Sequence, residues 1–152
     1  MLSTEVLPNL AGLDPAAWDA LTGSDNPFVE HGFLSALEES GSVGSVDSGW
    51  VPRHLVVRED GRLVGALPLY EKYDSYGEYI FDWSWARAAL QAGIPYYPKL
   101  VSAVPFTPAT GPRLLVAPDA APGPIRAALL GGLAELARQT RASSVHVLFP
   151  PE

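Results

Sequence analysis

The chain has 152 residues, a net charge of −7 and no cysteine, with 47% apolar and 18% charged residues. These figures describe a globular chain with one domain's worth of core. They exclude disulfides and thiolate chemistry, and they argue against a duplex nucleic-acid binder, which needs clustered cations to displace counterions from phosphates. No apolar run approaches the roughly 20 residues that cross a bilayer. Met1–Glu5 has neither the basic nor the apolar segment of a leader, so the expected compartment is the cytoplasm.

Fourteen glycines and 15 prolines punctuate the chain, so short elements and many loops are expected. Ser3–Leu7 reads as a first strand. Asp14-Pro15 is a helix start, with the aspartate capping and the proline at the first position, where its missing N–H is not needed. Trp18 and Leu21 share one face of that helix, and Gly23 ends it. Asn26-Pro27 marks a turn. His31–Glu39 has an apolar stripe at Phe33, Leu34 and Leu37 and stops at Gly41. The Gly/Ser-rich segment 41–50 is a flexible loop. His54–Arg58 and Arg62–Tyr70 make a hairpin about Asp60-Gly61, with a bulge or an edge at Pro68. Glu78–Trp83 alternates strictly and reads as a third strand, with Tyr79, Phe81 and Trp83 on one face and Glu78, Ile80 and Asp82 on the other.

Ala86–Gly93 makes a short helix at most. Residues 95–112 are too rich in proline for regular helix and read as a long irregular crossing. Arg113–Val116 is a compact strand and 118–124 a loop. Ile125–Thr140 is the clearest helix, with Ile125, Leu129, Leu133, Leu136 and Ala137 inward and Arg126, Glu135 and Arg138 outward. Gly131-Gly132 weakens it by about 1 kcal/mol per glycine if exposed, and such a pair implies a close neighbour. Ser144–Phe149 is the last strand, alternating at Val145, Val147 and Phe149, with His146 turned to solvent or a cleft. A crossover from Arg113–Val116 through the long helix to this strand implies parallel neighbours. The rest of the sheet should be antiparallel, which makes an α/β (α+β) fold with a mixed sheet in one domain, 1–152.

Four groups of residues can carry chemistry. Tyr96, Tyr97, Phe106, Lys99, Thr107, Thr110 and Arg113 either line a substrate groove or pack on the sheet. In the groove reading the prolines stiffen the walls, and Lys99 and Arg113 anchor an anionic ligand. Glu78 and Asp82 are either an acid–base pair acting on an amine or a wet strand face. Trp83 and Trp85 beside Asp82 would desolvate its carboxyl and raise its pKa, and they add aromatic wall. His31, His54 and His146 have no ligand spacing, so no metal site is expected.

Five segments carry a family resemblance. HGFLSALEESGSVG (31–44), GEYIFDWSWA (77–86), YYPKL (96–100), VPFTPATGPRLL (104–115) and SVHVLFPPE (144–152) are similar to FemAB-like bacterial proteins of the GNAT N-acyltransferase superfamily. The order strand–helix–helix–meander–helix–strand is also the GNAT order. The resemblance covers the chain from about residue 26 onward. It implies acyl or aminoacyl transfer to an amine, with a small molecule or a peptidoglycan precursor as acceptor. Alternatively the domain is a non-catalytic recognition module for a cell-wall precursor or peptide. Family members are longer and carry two such domains, so the chain is expected to be the N-terminal half, with a C-terminal GNAT-like domain as its partner. Its last strand is then expected to leave an open edge, and the isolated chain to be marginal or self-associating. Acetyl-CoA or aminoacyl-tRNA is implied as co-substrate of the whole protein. In the 116–125 loop, however, Pro118, Pro122 and Pro124 remove backbone donors that a pyrophosphate requires, so no cofactor is expected in this domain.

Overall fold

Asp60 and Gly61 both take positive φ, 49° and 88°, and turn the chain through the hairpin that organises the molecule. The computed structural model describes residues 1–23 and 25–152. The outgoing arm of the hairpin is β2 (Trp50–Pro52) followed by β3 (His54–Glu59), and the returning arm is β4 (Arg62–Leu67) followed by β5 (Tyr70–Lys72). Each arm breaks once, at Arg53 and at Pro68-Leu69, where the Arg53 N–H donates to the Leu69 carbonyl at 2.8 Å. Pro68 has no N–H to continue the ladder. The two arms therefore contribute to two four-stranded sheets.

The first sheet runs β1 (Leu2–Leu7), β3, β4, β7 (Leu115–Val116), all antiparallel. The second runs β2, β5, β6 (Lys99–Ser102), β8 (Val145–Val147); only the β6–β8 pair is parallel. The expected crossover is thus corrected. β7 and β8 are not neighbours, and the long helix carries the chain from one sheet to the other.

That helix, α4 (Pro122–Thr140), buries Ile125, Leu129, Leu133 and Leu136 on the first sheet, as its 3.6-residue spacing predicts. It starts three residues before Ile125, because Pro122 and Pro124 fall in the first turn, where no N–H is required. A Cβ on Gly132 would lie 2.8 Å from Thr4 Cγ2, whereas one on Gly131 meets nothing within 4 Å. Only one of the two glycines answers a close neighbour. α1 (Pro15–Asp19), capped by the Asp14 carboxylate on the Ala16 N–H, and α2 (His31–Glu39) complete the larger core with Trp18 and Leu34.

Two further expectations change. Glu78–Asp82 is not a strand: Tyr79 and Phe81 take φ of 63° and 56°, and the segment is a loop leading into α3 (Trp83–Gln91). Its alternation is real, but the acids turn inward while Tyr79 and Phe81 turn to solvent. Within the proline-rich crossing, β6 is a regular strand, too short at four residues to stand out between Pro98 and Pro105. On β8 the expected faces are reversed, with Val145 and Val147 exposed and His146 half-buried.

Candidate functional site

Lys72 and Lys99, the only lysines in the chain, face each other directly across β5 and β6. Both are fully buried. Two like charges at such a position are destabilising on their own. The loop between β5 and α3 compensates by delivering Asp74, Glu78 and Asp82, so two cations meet three carboxylates. Lys99 Nζ donates to Glu78 Oε1 at 2.8 Å, Asp82 Oδ2 at 2.7 Å and Ser75 Oγ at 3.1 Å. Lys72 Nζ donates to the Tyr76 carbonyl at 2.9 Å and Asp74 Oδ1 at 3.3 Å, and lies 3.8 Å above the Trp50 ring. The Tyr96 hydroxyl donates to Asp82 Oδ2, and Tyr97 and Ser75 share a hydrogen bond of 2.6 Å.

The electrostatics follow from this wiring. Burial alone would raise the Asp82 carboxyl, but hydrogen bonds from Lys99, Ser75 and Tyr96 outweigh it and hold the group at about 2. The expected upward shift is therefore corrected. Trp83 packs edge-on against Tyr76 with ring centroids 4.9 Å apart, and Trp85 is 73% exposed, so neither tryptophan encloses the carboxylate. Burial raises Glu78 against the pull of Lys99, and burial lowers Lys72 to about 8. Two carboxylate oxygens inside the cluster, Glu78 Oε2 and Asp82 Oδ1, have no hydrogen-bond partner among the described residues.

Asp82 is also part of the wall of a cavity of about 470 Å³. Phe81 and Trp85 form its apolar side; Tyr96, Ser144 and His146 join Asp82 on the polar side. His146 Nε2 lies 2.8 Å from Ser144 Oγ. Burial, with Lys99 nearby, lowers the imidazole below its usual value and favours its neutral, proton-accepting form. A second, more apolar cavity of about 460 Å³ lies on the other side of Tyr96, between α3 and Tyr97.

The structure brings together Glu78, Asp82, Tyr96, Tyr97 and Lys99, with Trp83 and Trp85 along the cavity rims. It does not bring in the others. Arg113 is 3% exposed and donates to the carbonyls of Leu148, Gly111, Pro112 and Ala109. Its guanidinium ties the crossing to β8 and is largely spent as an anion anchor. Lys99 is no free anchor either, since all three of its N–H groups have acceptors. Phe106 packs on Trp50, the Thr107 hydroxyl donates to the Pro105 carbonyl, and Thr110 is exposed, its carbonyl accepting from Asn26. Sequence reasoning missed Lys72 and Ser75. Lys72 carries the same signal as Lys99, since the two are the only lysines in the sequence. Ser75 had no signal, because only the loop path places it under Lys99.

The mixed α/β architecture matches a GNAT-like acyltransferase fold. One solved structure, ribosomal-protein-alanine N-acetyltransferase from Brucella melitensis biovar Abortus 2308, matches over 99% of this chain and 81% of its own, with a TM-score of 0.52 at 15% identity. At that identity the likeness is one of fold. Among curated proteins none matches the chain. The family model for FemAB-like proteins, described as peptidoglycan biosynthesis/recognition, matches residues 9–152, and the chain belongs to that family. No helix among the described residues is long and apolar enough to cross a membrane.

Proposed function

We propose that this domain binds the amine acceptor of an acyl- or aminoacyl-transfer reaction, with the ammonium group in the Asp82–His146 cavity. The observation that carries the reading is the Asp82 carboxylate in the wall of an aromatic-sided cavity, held ionised by Lys99 and Tyr96. An incoming ammonium pairs with that carboxylate and gains the faces of Trp85 and Phe81. The neutral imidazole of His146 takes its proton. The free amine then attacks the carbonyl of the acyl donor, a C–N bond forms, the donor's ester or thioester bond breaks, and the leaving group receives a proton. Lys99 positions Asp82 and does not touch the substrate.

The first turn of α4 supports a division of labour. Ala121 caps it without a side-chain bond, and of its first four residues Pro122 and Pro124 have no N–H, which leaves two donors where a pyrophosphate would sit. Acetyl-CoA is expected to show no saturable binding at moderate concentration, and a micromolar dissociation constant by calorimetry would overturn this. The same observation favours a second reading, a recognition domain whose catalytic partner is a C-terminal GNAT-like domain in a longer protein. Two variants separate the readings in a transfer assay on the whole protein. If His146 is the base, His146→Gln lowers kcat by about 10²–10⁴ with little change in KM, and the acid limb set by the imidazole disappears. If the domain only binds, Asp82→Asn raises KM, and His146→Gln leaves kcat within twofold. An Asp82→Asn protein with unchanged kcat/KM would remove the ammonium site altogether.

A further inference from the structure

β8 is the outermost strand of the second sheet, and its free side is complementary to itself. The Ser144 carbonyl accepts from the Leu100 N–H and the Leu148 N–H donates to the Ser102 carbonyl, both at 3.0 Å, with His146 in register with Val101. Backbone groups alternate in direction along a strand, so 144, 146 and 148 point theirs toward β6, and Val145 and Val147 point theirs outward. Past this point the edge is closed, because the Phe149 carbonyl accepts from the Gly111 N–H at 3.0 Å. The open length is therefore Val145–Val147, with two outward N–H and two outward C=O groups. The usual protections of an edge are absent: no lysine, proline or bulge interrupts it. Residues 142–151 contain no Asp, Glu, Lys or Arg, although the chain carries a net −7.

We infer that β8 pairs antiparallel with β8 of a second copy about a two-fold axis at His146. This register sets Val145 opposite Val147 of the partner, twice, so the outward groups form four N–H···O=C bonds. It also joins two valines that the single chain leaves 41% and 46% exposed. The two His146 residues face each other as a non-hydrogen-bonded pair. Their side chains lie on the face that holds the Asp82 cavity, so each copy brings an imidazole to the open side of the other's site. Each copy carries a net charge of −7, and raising the salt concentration strengthens the association by screening their mutual repulsion. The inference stands on the edge of β8 and does not depend on acyl transfer.

The test uses the 152-residue chain, whose lack of cysteine makes single introduced thiols unambiguous. Sedimentation velocity across a concentration series at moderate salt is expected to show a monomer–dimer equilibrium. His146→Cys places a thiol opposite its own copy at about 4.5 Å between Cα atoms, within disulfide reach, so mild oxidation gives a covalent dimer. Val145→Cys, whose counterpart lies two residues along the partner strand from the position opposite it, does not. Val147→Pro removes an outward N–H that β6 does not use and weakens association on the order of tenfold or more. Val147→Lys does the same while keeping the backbone donor, and circular dichroism checks that both remain folded. A chain that stays monomeric throughout, or a Val145→Cys variant that cross-links as fast as His146→Cys, overturns the proposal.

Discussion

The two sheets solve the same burial problem with different chemistry. The first is covered by α4, α1 and α2, and its core is aliphatic apart from Trp18. The second holds a smaller apolar cluster around Trp50 and Tyr70, and beside it the buried Lys72–Lys99–Glu78–Asp82 network. α3, which flanks that network, buries none of its residues, and exposed aromatics run from Tyr73 through Trp85. A sheet that served only stability would gain from apolar residues in place of such a network. Its presence in one half, next to a cavity, is the reason the proposed site is put there and the other half is read as scaffold.

The largest expected effect breaks the polar half. Lys99→Ala leaves Glu78 and Asp82 buried without their shared cation, and is expected to cost about 3–5 kcal/mol in urea denaturation. A loss below about 1 kcal/mol would mean that water relaxes the cluster. Leu129→Ala is the matching change in the apolar half. Leu129 is fully buried on the first sheet, and the loss is expected near 3 kcal/mol without any dependence on pH.

pH divides the halves more finely. The folded-state pKa of Asp82 is lowered, so its contribution is complete above the ordinary carboxylate range near 4 and is lost as pH falls toward about 2. The partial exposure of the cluster's mouth reduces the effect to about 1–2 kcal/mol. Lys72 has the opposite origin. Its folded pKa is lowered to about 8, so the unfolded chain binds the extra proton between about pH 8 and 10.5, and stability rises across that window. In Lys72→Met the alkaline rise should vanish, and in Asp82→Asn the acid loss should shrink. Melts that run parallel across pH for variants and parent would contradict both assignments.

The smallest effect concerns the helix that spans the halves. Gly131→Ala meets open space and is expected to stabilise by about 0.5–1 kcal/mol. Gly132→Ala presses on Thr4 and Leu55 and is expected to destabilise. Equal effects at the two glycines would show that α4 does not sit against β1 as described.

The apolar half was legible in the sequence. The spacing of Ile125, Leu129, Leu133 and Leu136, the Asp14-Pro15 start and the Asp60-Gly61 turn each encode a local geometry, and all three appear in the structure. The resemblance of the five quoted segments likewise led to the family. Half of the candidate site was legible too: Tyr96, Tyr97, Lys99, Glu78 and Asp82, which the fold brings together, were singled out by residue type, though not their wiring. What a lysine or an arginine does depends on which acceptors the fold brings within 3 Å, and that is a property of chain path. Lys99 meets Ser75, Glu78 and Asp82, which lie 17 to 24 residues away, and Arg113 adds to three nearby carbonyls that of Leu148, 35 residues away. The inversion of Glu78–Asp82 has the same reason. Alternation specifies that two sets of side chains point apart, but only the buried ammonium of Lys99 decides that the acids are the set that turns in.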